Sequence, residues 1–283
     1  MEKYYLVKAE DIPQAYNDSG FAMSELLAGT YEGGIRNYKC FLKAGCQVSP
    51  ELRKEETVLL MFGKGTGYIY SKNEMHNITE LSFYAPDFDK EPYTIHAIQD
   101  MEFILTVVEM NQWDKELFEA SHVRLPFFLQ VSDAVKYDQD CKGPHTTSWH
   151  ILSPKMLGRI MVGVVRAEKV GESYGVLMSD VTQARNFNRL FSFLCGNLNH
   201  TILHPKVHQW NYCVGNSDFS LTVDDCPAVN HRAGDWSFIP AGPDHALVAE
   251  QGKEVYYVWY EHYTREKDFC IALAKGEEFD GKY

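Results

Sequence analysis

Short apolar runs, each closed off by Gly, Pro, Asn or Asp, follow one another along most of the chain. Tyr38 to Leu42, Thr57 to Phe62, Gly67 to Tyr70 and Phe103 to Glu109 are rich in β-branched and aromatic residues. Such side chains pack well on a pleated surface, so these runs read as strands. A second series follows: Arg159 to Arg166, Leu190 to Cys195, Trp210 to Val214, Phe219 to Val223, Trp236 to Ile239 and Glu254 to Glu261. Helical spacing is scarce, with Gln112 to Ala120 and Thr264 to Lys275 as the short candidates. Gly63-Lys-Gly65-Thr-Gly67 reads as a hairpin turn between two strands. It is not a phosphate loop, because no helix pattern and no Gly-Lys-Ser/Thr follows it.

Between the two series, residues 132 to 149 are polar and broken by Gly143-Pro144, which marks a linker. Both series run in the same order of strand, polar turn, Gly-rich hairpin and closing strand. Antiparallel sheets that close on themselves remove the open edges such a pattern would otherwise leave. The expected architecture is therefore all-β, with two tandem barrels and few short helices. Residues 1–131 form the first barrel, 132–149 the linker and 150–283 the second barrel.

Composition narrows the partners. The 283 residues carry 27 basic and 39 acidic side chains, a formal charge of −12, which argues against nucleic acid or an anionic membrane as partner. A small-molecule substrate is the expectation. Seven cysteines, at 40, 46, 141, 195, 213, 226 and 270, are odd in number and scattered, as expected of reduced thiols. No apolar leader opens the sequence and no run approaches the roughly 18 apolar residues of a membrane span, so a cytoplasmic location is expected.

The richest local signal is Gly234-Asp-Trp-Ser-Phe-Ile-Pro240-Ala-Gly242-Pro-Asp-His245. Proline presets φ and glycine accepts positive φ, so a short strand is reversed here and His245 opens the next one. The spacing G-x5-P-x-G-x2-H resembles the second motif of the cupin superfamily. That resemblance implies jelly-roll barrels and a metal-ligating role for His245. The first motif of the superfamily carries H-x-H and then Glu after three or four intervening residues. Here the sequence reads Thr201-Ile-Leu-His204-Pro-Lys-Val-His208-Gln209, so Ile202 stands at the first position, His204 at the second, and His208 or Gln209 at the third. Residues four apart on a straight strand lie roughly 13 Å apart, too far for one ion with bonds near about 2.1 Å. Pro205 permits a bend that would let His204 and His208 converge with His245. Strand alternation favours His208 over Gln209, because Trp210 and Tyr212 share its face. The expected cofactor is one divalent ion, with Zn, Mn, Fe, Ni and Cu not distinguished by such ligands. His200 and His231 read as loop and solvated residues. The first series offers Glu51, Glu55, Glu56 and His96 but no Pro-x-Gly turn, so it reads as a structural barrel that covers the second or builds a homodimer.

The alternating strand Glu254 to Glu261 should turn either Tyr256 and Tyr260 or Tyr257 and Trp259 into the cavity. With Trp210 and Tyr212, the pair Tyr256 and Tyr260 is the expected substrate wall. Arg166, Arg185 and Arg189 are candidates to hold a carboxylate. The segment Trp149-His-Ile-Leu-Ser-Pro through Leu157-Gly-Arg-Ile-Met-Val-Gly-Val-Val165 is similar to the entry strand of 5-deoxyglucuronate isomerases and related uronate ketol-isomerases. That likeness implies a metal-dependent bicupin enzyme isomerising an open-chain sugar or sugar acid, with Glu250 or Glu261 as the proton-transfer base. The H-x3-H spacing of His204 and His208 also resembles ureidoglycine aminohydrolases. A cupin dioxygenase and a non-catalytic metabolite-binding cupin are the remaining alternatives.

Overall fold

The computed structural model describes residues 4–31, 33–137, 146–153, 156–167, 176–179, 207–241, 243, 245–250 and 252–263. In chain order the strands are β1 (Tyr5–Val7), β2 (Phe21–Leu26), β3 (Ile35–Leu42), β4 (Gln47–Val48), β5 (Glu56–Lys64), β6 (Gly67–Ser71), β7 (Met75–Ile78), β8 (Ser82–Ala85), β9 (Tyr93–Ala97) and β10 (Met101–Glu109). Helix α1 (Gln112–Ser121) precedes β11 (Phe127–Gln130), β12 (Val135–Tyr137), β13 (Thr146–Leu152), β14 (Ile160–Ala167) and β15 (Val176–Ser179). The remainder are β16 (His208–Cys213), β17 (Asp218–Val223), β18 (Val229–Arg232), β19 (Trp236–Ile239), β20 (His245–Ala249) and β21 (Val255–His262). The strands expected at Leu190 to Cys195 and the helix expected at Thr264 to Lys275 lie outside the described residues.

Each half is a pair of antiparallel sheets. In the first, a six-stranded sheet (β11-β8-β5-β10-β3-β2) accompanies a four-stranded one (β4-β9-β6-β7). In the second, a seven-stranded sheet (β1-β19-β16-β21-β14-β13-β12) accompanies β15-β20-β17-β18. The chain crosses between halves twice. β1 pairs with β19, so β1 completes the second half, and β12 and the start of β13 lie inside the stretch that reads as a linker. Gly63 to Gly67 likewise differs from its expected hairpin. It carries the chain from β5 to β6, which belong to different sheets. A Cβ on Gly65 would lie 2.1 Å from the Asp100 carbonyl oxygen, so only glycine fits that corner.

Alternation along the large-sheet strands separates three cores. Leu60, Phe62, Phe103 and Leu105 fill the first barrel with Ile69 and Ile95 from its small sheet. Val165, Cys213, Tyr257 and Trp259 fill the second with Phe219, Leu221 and Leu247. The opposite faces, including Leu59, Met61, Ile104, Val162, Trp210, Tyr212 and Tyr260, share one apolar core that joins the two large sheets. Central strands of both large sheets are thus covered on both sides, and they read as near-continuous apolar runs for that reason.

Several polar side chains in this joint core are paired with one another. The Lys39 ammonium, buried, lies 3.2 Å from Glu102 Oε2 and donates to Tyr212 Oη at 3.1 Å. Thr106 donates to Asn37 Oδ1 at 2.8 Å, the Tyr260 hydroxyl donates to the same oxygen, and Asn37 donates to Tyr31 at 3.1 Å. α1 is anchored by Asp114, which closes a capping box with Asn111 and accepts from Arg159 of the second half. Among the described residues, no helix is long and apolar enough to cross a membrane.

Candidate functional site

The Gly234 to His245 segment forms the expected strand, turn and strand. Gly234 has φ +88°, and the following Asp235 accepts from the backbone N–H of Ala9 and of Arg232 and from Lys8 Nζ, each at 2.9 Å. The N-terminal segment is thereby fastened to the head of β19. After Pro240 the chain turns, and His245 begins β20 with its side chain buried. Gly242 lies outside the described residues.

β16 runs beside β19 and β21, and its alternation decides which side chains meet His245. Gln209, Asn211 and Cys213 face the inside of the second barrel, whereas His208, Trp210 and Tyr212 face the other large sheet. Gln209 Nε2 lies 3.3 Å from His245 Nε2 and 3.0 Å from Asn211 Oδ1. Asn211 Nδ2 in turn lies 3.4 Å from Ser237 Oγ on β19. These four polar residues are buried together on the inner face. Glu261 stands directly opposite Gln209 in the β16–β21 register and is half-buried, and Tyr263 donates to its Oε2 at 3.3 Å. One rung further in, Trp259 pairs with Asn211 on one side and Gly163 on the other. A Cβ on Gly163 would lie 2.3 Å from Trp259 Cζ2, so the missing side chain makes the bed on which the indole lies.

Several expectations are corrected by this geometry. His208 does not share a face with His245. Its ring packs between Trp210 and Phe238, and its Nδ1 accepts the Ala241 N–H at 3.2 Å. Trp210, Tyr212 and Tyr260 are fully buried between the two large sheets, on the face away from His245, and Trp210 stacks on Tyr260 with centroids 4.9 Å apart. Tyr256 packs at the edge of that same face, under the Arg166 guanidinium at 5.1 Å. Arg166 is engaged by Glu254 at 2.5 Å. The pair turned inward is Tyr257 and Trp259. Glu250 sits on the β20–β21 turn with its side chain 79% exposed, 3.4 Å from Lys253. His231, expected in solvent, is 0% exposed, stacks on Phe219 and meets the Tyr4 hydroxyl at 2.6 Å. In the first half His96 points outward and stacks on Tyr68, Glu51 and Glu55 are exposed, and Glu56 pairs with Arg36. His204, Ile202, His200, Arg185 and Arg189 lie outside the described residues.

Gln209, Asn211 and Ser237 had a legible signal. All three are polar residues inside otherwise apolar strands, and two of them flank Trp210. Among the described residues, no three His, Cys, Asp or Glu side chains converge as a ligand set. The group beside His245 is a neutral carboxamide, where a divalent ion favours deprotonated or anionic donors. The described donor set does not fit the ion that the motif resemblance implies.

No protein-family model matches the sequence, and no curated protein does. Solved structures resemble the fold across nearly the whole chain. One is a protein described as glyoxylate-induced, from Pseudomonas aeruginosa, at TM-score 0.66 and 14% identity over 94% of this chain and 91% of that one. Another is protein Ylba from E. coli, at TM-score 0.62 and 10% identity over 93% and 92%. A third is Lactobacillus farciminis oxalate decarboxylase in its formate complex, at TM-score 0.59 and 13% identity over 92% and 86%. Identity this low speaks for the fold alone. The chain is an all-β protein with the cupin jelly-roll fold.

Proposed function

We propose that the second barrel is the functional half, and that it takes a small polar metabolite between His245, Gln209, Asn211, Ser237, Glu261 and Trp259. The observation that carries this reading is the contrast between the two interiors. The first barrel is filled by apolar and aromatic side chains, whereas the second has a connected polar set on its inner face. Binding sites combine apolar walls with a few convergent polar groups in this way.

The reaction class best supported is proton transfer on an open-chain sugar or sugar acid. An aldose–ketose isomerisation moves one proton from the carbon beside the carbonyl to the carbonyl carbon, with a compensating shift between the two oxygens, and consumes no co-reactant. Glu261 is the carboxylate placed on the inner face for that task. Neutral hydrogen-bond donors on Asn211 and Trp259 would orient the hydroxyl and carbonyl oxygens. A second reading, binding without turnover, is favoured by the carboxamide of Gln209 at a position where an anionic group would assist chemistry.

The test is incubation of the untagged protein with aldoses, hexuronates, oxalate and glyoxylate in D2O, followed by NMR. The two acids enter the panel because the names of the structural neighbours mention them. Deuterium incorporation with ketose formation, lost in Glu261→Gln and His245→Ala, supports the isomerase. Saturable binding without exchange supports the second reading. Turnover that survives both substitutions places the chemistry elsewhere.

A further inference from the structure

The bond between Gln209 and His245 restricts what His245 can do. An amide nitrogen is a donor only, so with Gln209 Nε2 at 3.3 Å the His245 Nε2 receives the bond in its lone pair. Reversing this amide alone would set its oxygen against Asn211 Oδ1 at 3.0 Å, two acceptors in contact. Reversing both amides restores the chain, with Asn211 donating to Gln209 and the Ser237 hydroxyl donating to Asn211. His245 Nε2 must then carry a proton and donate to Gln209 Oε1. In either arrangement the Nε2 lone pair is committed or absent, so an ion could bind through Nε2 only by displacing the Gln209 bond.

A second observation points to what the chamber takes instead. The Trp259 indole N–H is buried on the inner face, one rung from Gln209, and has no hydrogen-bond acceptor among the described residues. An orphaned donor there is costly unless something accepts from it. Glu261, across the strand from Gln209, is an acceptor facing the same space.

We infer that the second barrel of this chain holds its ligand without a resident metal ion, with Gln209 in the place of a metal-binding carboxylate. The ligand is a polyhydroxy or carbonyl compound whose oxygen accepts from Trp259 and whose hydroxyl donates to Glu261. The inference rests on the placement of the ligand chamber in the second barrel but not on any particular reaction.

The experiment reads metal directly, without substrate. Untagged native protein, Gln209→Glu and the double variant Gln209→Glu/His245→Ala are stripped with chelator, dialysed against Zn2+, Mn2+ or Ni2+, and analysed for bound metal and melting temperature. Native protein should retain far less than one equivalent and melt at the same temperature with and without chelator. Gln209→Glu supplies a carboxylate beside His245 and opposite Glu261, so it should retain about one equivalent of at least one ion and melt higher with it. The double variant should lose that gain. Native protein that holds one equivalent, released by His245→Ala, overturns the inference, and so does a folded Gln209→Glu variant that takes up none. Should that variant fail to fold, the native measurement decides alone. Absence of any sugar binding in the D2O panel would count against the proposed reaction and leave the metal result standing.

Discussion

Asp114 grips Arg159 with both carboxylate oxygens across the seam between the halves, Oδ1 to Nε at 2.8 Å and Oδ2 to Nη2 at 2.9 Å. The Arg159 backbone N–H adds a third bond at 3.1 Å, and Nη1 reaches the Tyr263 carbonyl at 2.9 Å. Both side chains are buried, so removing one strands the other's charge away from water. Asp114→Ala and Arg159→Ala should each cost about 3–5 kcal/mol in urea unfolding. Half-buried Arg53, which pairs with Glu51 and Glu56 near the surface, should cost about 1 kcal/mol or less on replacement by Ala. Equal losses at Arg53 and Arg159 would refute the clamp.

Gly163 gives a second prediction through packing. Gly163→Ala places a methyl where Trp259 now lies, forcing the indole off its bed or the strand outward. Overpacking of this kind costs about 1–3 kcal/mol. Because Trp259 belongs to the proposed chamber, ligand binding should weaken together with stability, and its fluorescence should shift toward that of a wetter indole. Unchanged emission with an unchanged melting temperature would place Trp259 elsewhere.

Acid should destabilise the fold ahead of its carboxylates. Burial pushes His231 down from 6.5 to about 4. Burial, and then the Arg159 charge, push His262 down to about 3. Above 6.5 both rings are neutral whether folded or unfolded, and their contribution is fully present. As the pH falls below 6.5, the unfolded chain binds protons that the folded one refuses, so stability declines toward the folded values. His231 alone accounts for a loss on the order of 3 kcal/mol by pH 4. Urea titrations at pH 7, 6 and 5 should show the decline, and His231→Phe should remove about half of it, His262 supplying the rest. Stability that holds or rises across that window in the parent protein would contradict the prediction.

The three histidines that drew attention in the sequence should separate cleanly when each is replaced by Ala. His245→Ala removes a member of the inner polar set and should abolish ligand binding. His208→Ala deletes the acceptor for the Ala241 N–H and the ring packed on Trp210 and Phe238, all outside the barrel, so stability should drop while binding falls several-fold and survives. His96→Ala, on the far face of the first half, should leave binding unchanged. Complete loss in His208→Ala with a native melting temperature would restore His208 to the site.

The turn around Pro240 and most strand positions were legible because glycine and proline punctuate the chain by local conformation, which needs no knowledge of neighbours. The inward face of β16 was not legible. Alternation groups His208 with Trp210 and Tyr212 and separates Gln209, but it cannot say which set looks into the barrel. In a single barrel the aromatic set would be inside. Here both faces of the strand are buried, and the larger aromatics pack against a second sheet. His231 misled for a related reason. Its neighbour Arg232 suggested solvent, yet alternation along β18 sends the two side chains in opposite directions. β1 was missed because three half-buried residues carry too little periodicity to announce a partner more than two hundred positions away.

That pairing bears on the order in which a ribosome delivers the molecule. β1 leaves the exit tunnel long before β19 and cannot dock until β19 has been made. The first half can close its own sheets long before then, with its leading segment still untied. A separately expressed second half beginning at residue 132 would present β19 as an open edge and would lack the Lys8 and Ala9 contacts to Asp235. Unpaired edges recruit other chains. Splitting the gene at the polar stretch should therefore yield a sticky fragment, cured by supplying residues 1–12 as a peptide or by fusing them, through a linker, to its own start.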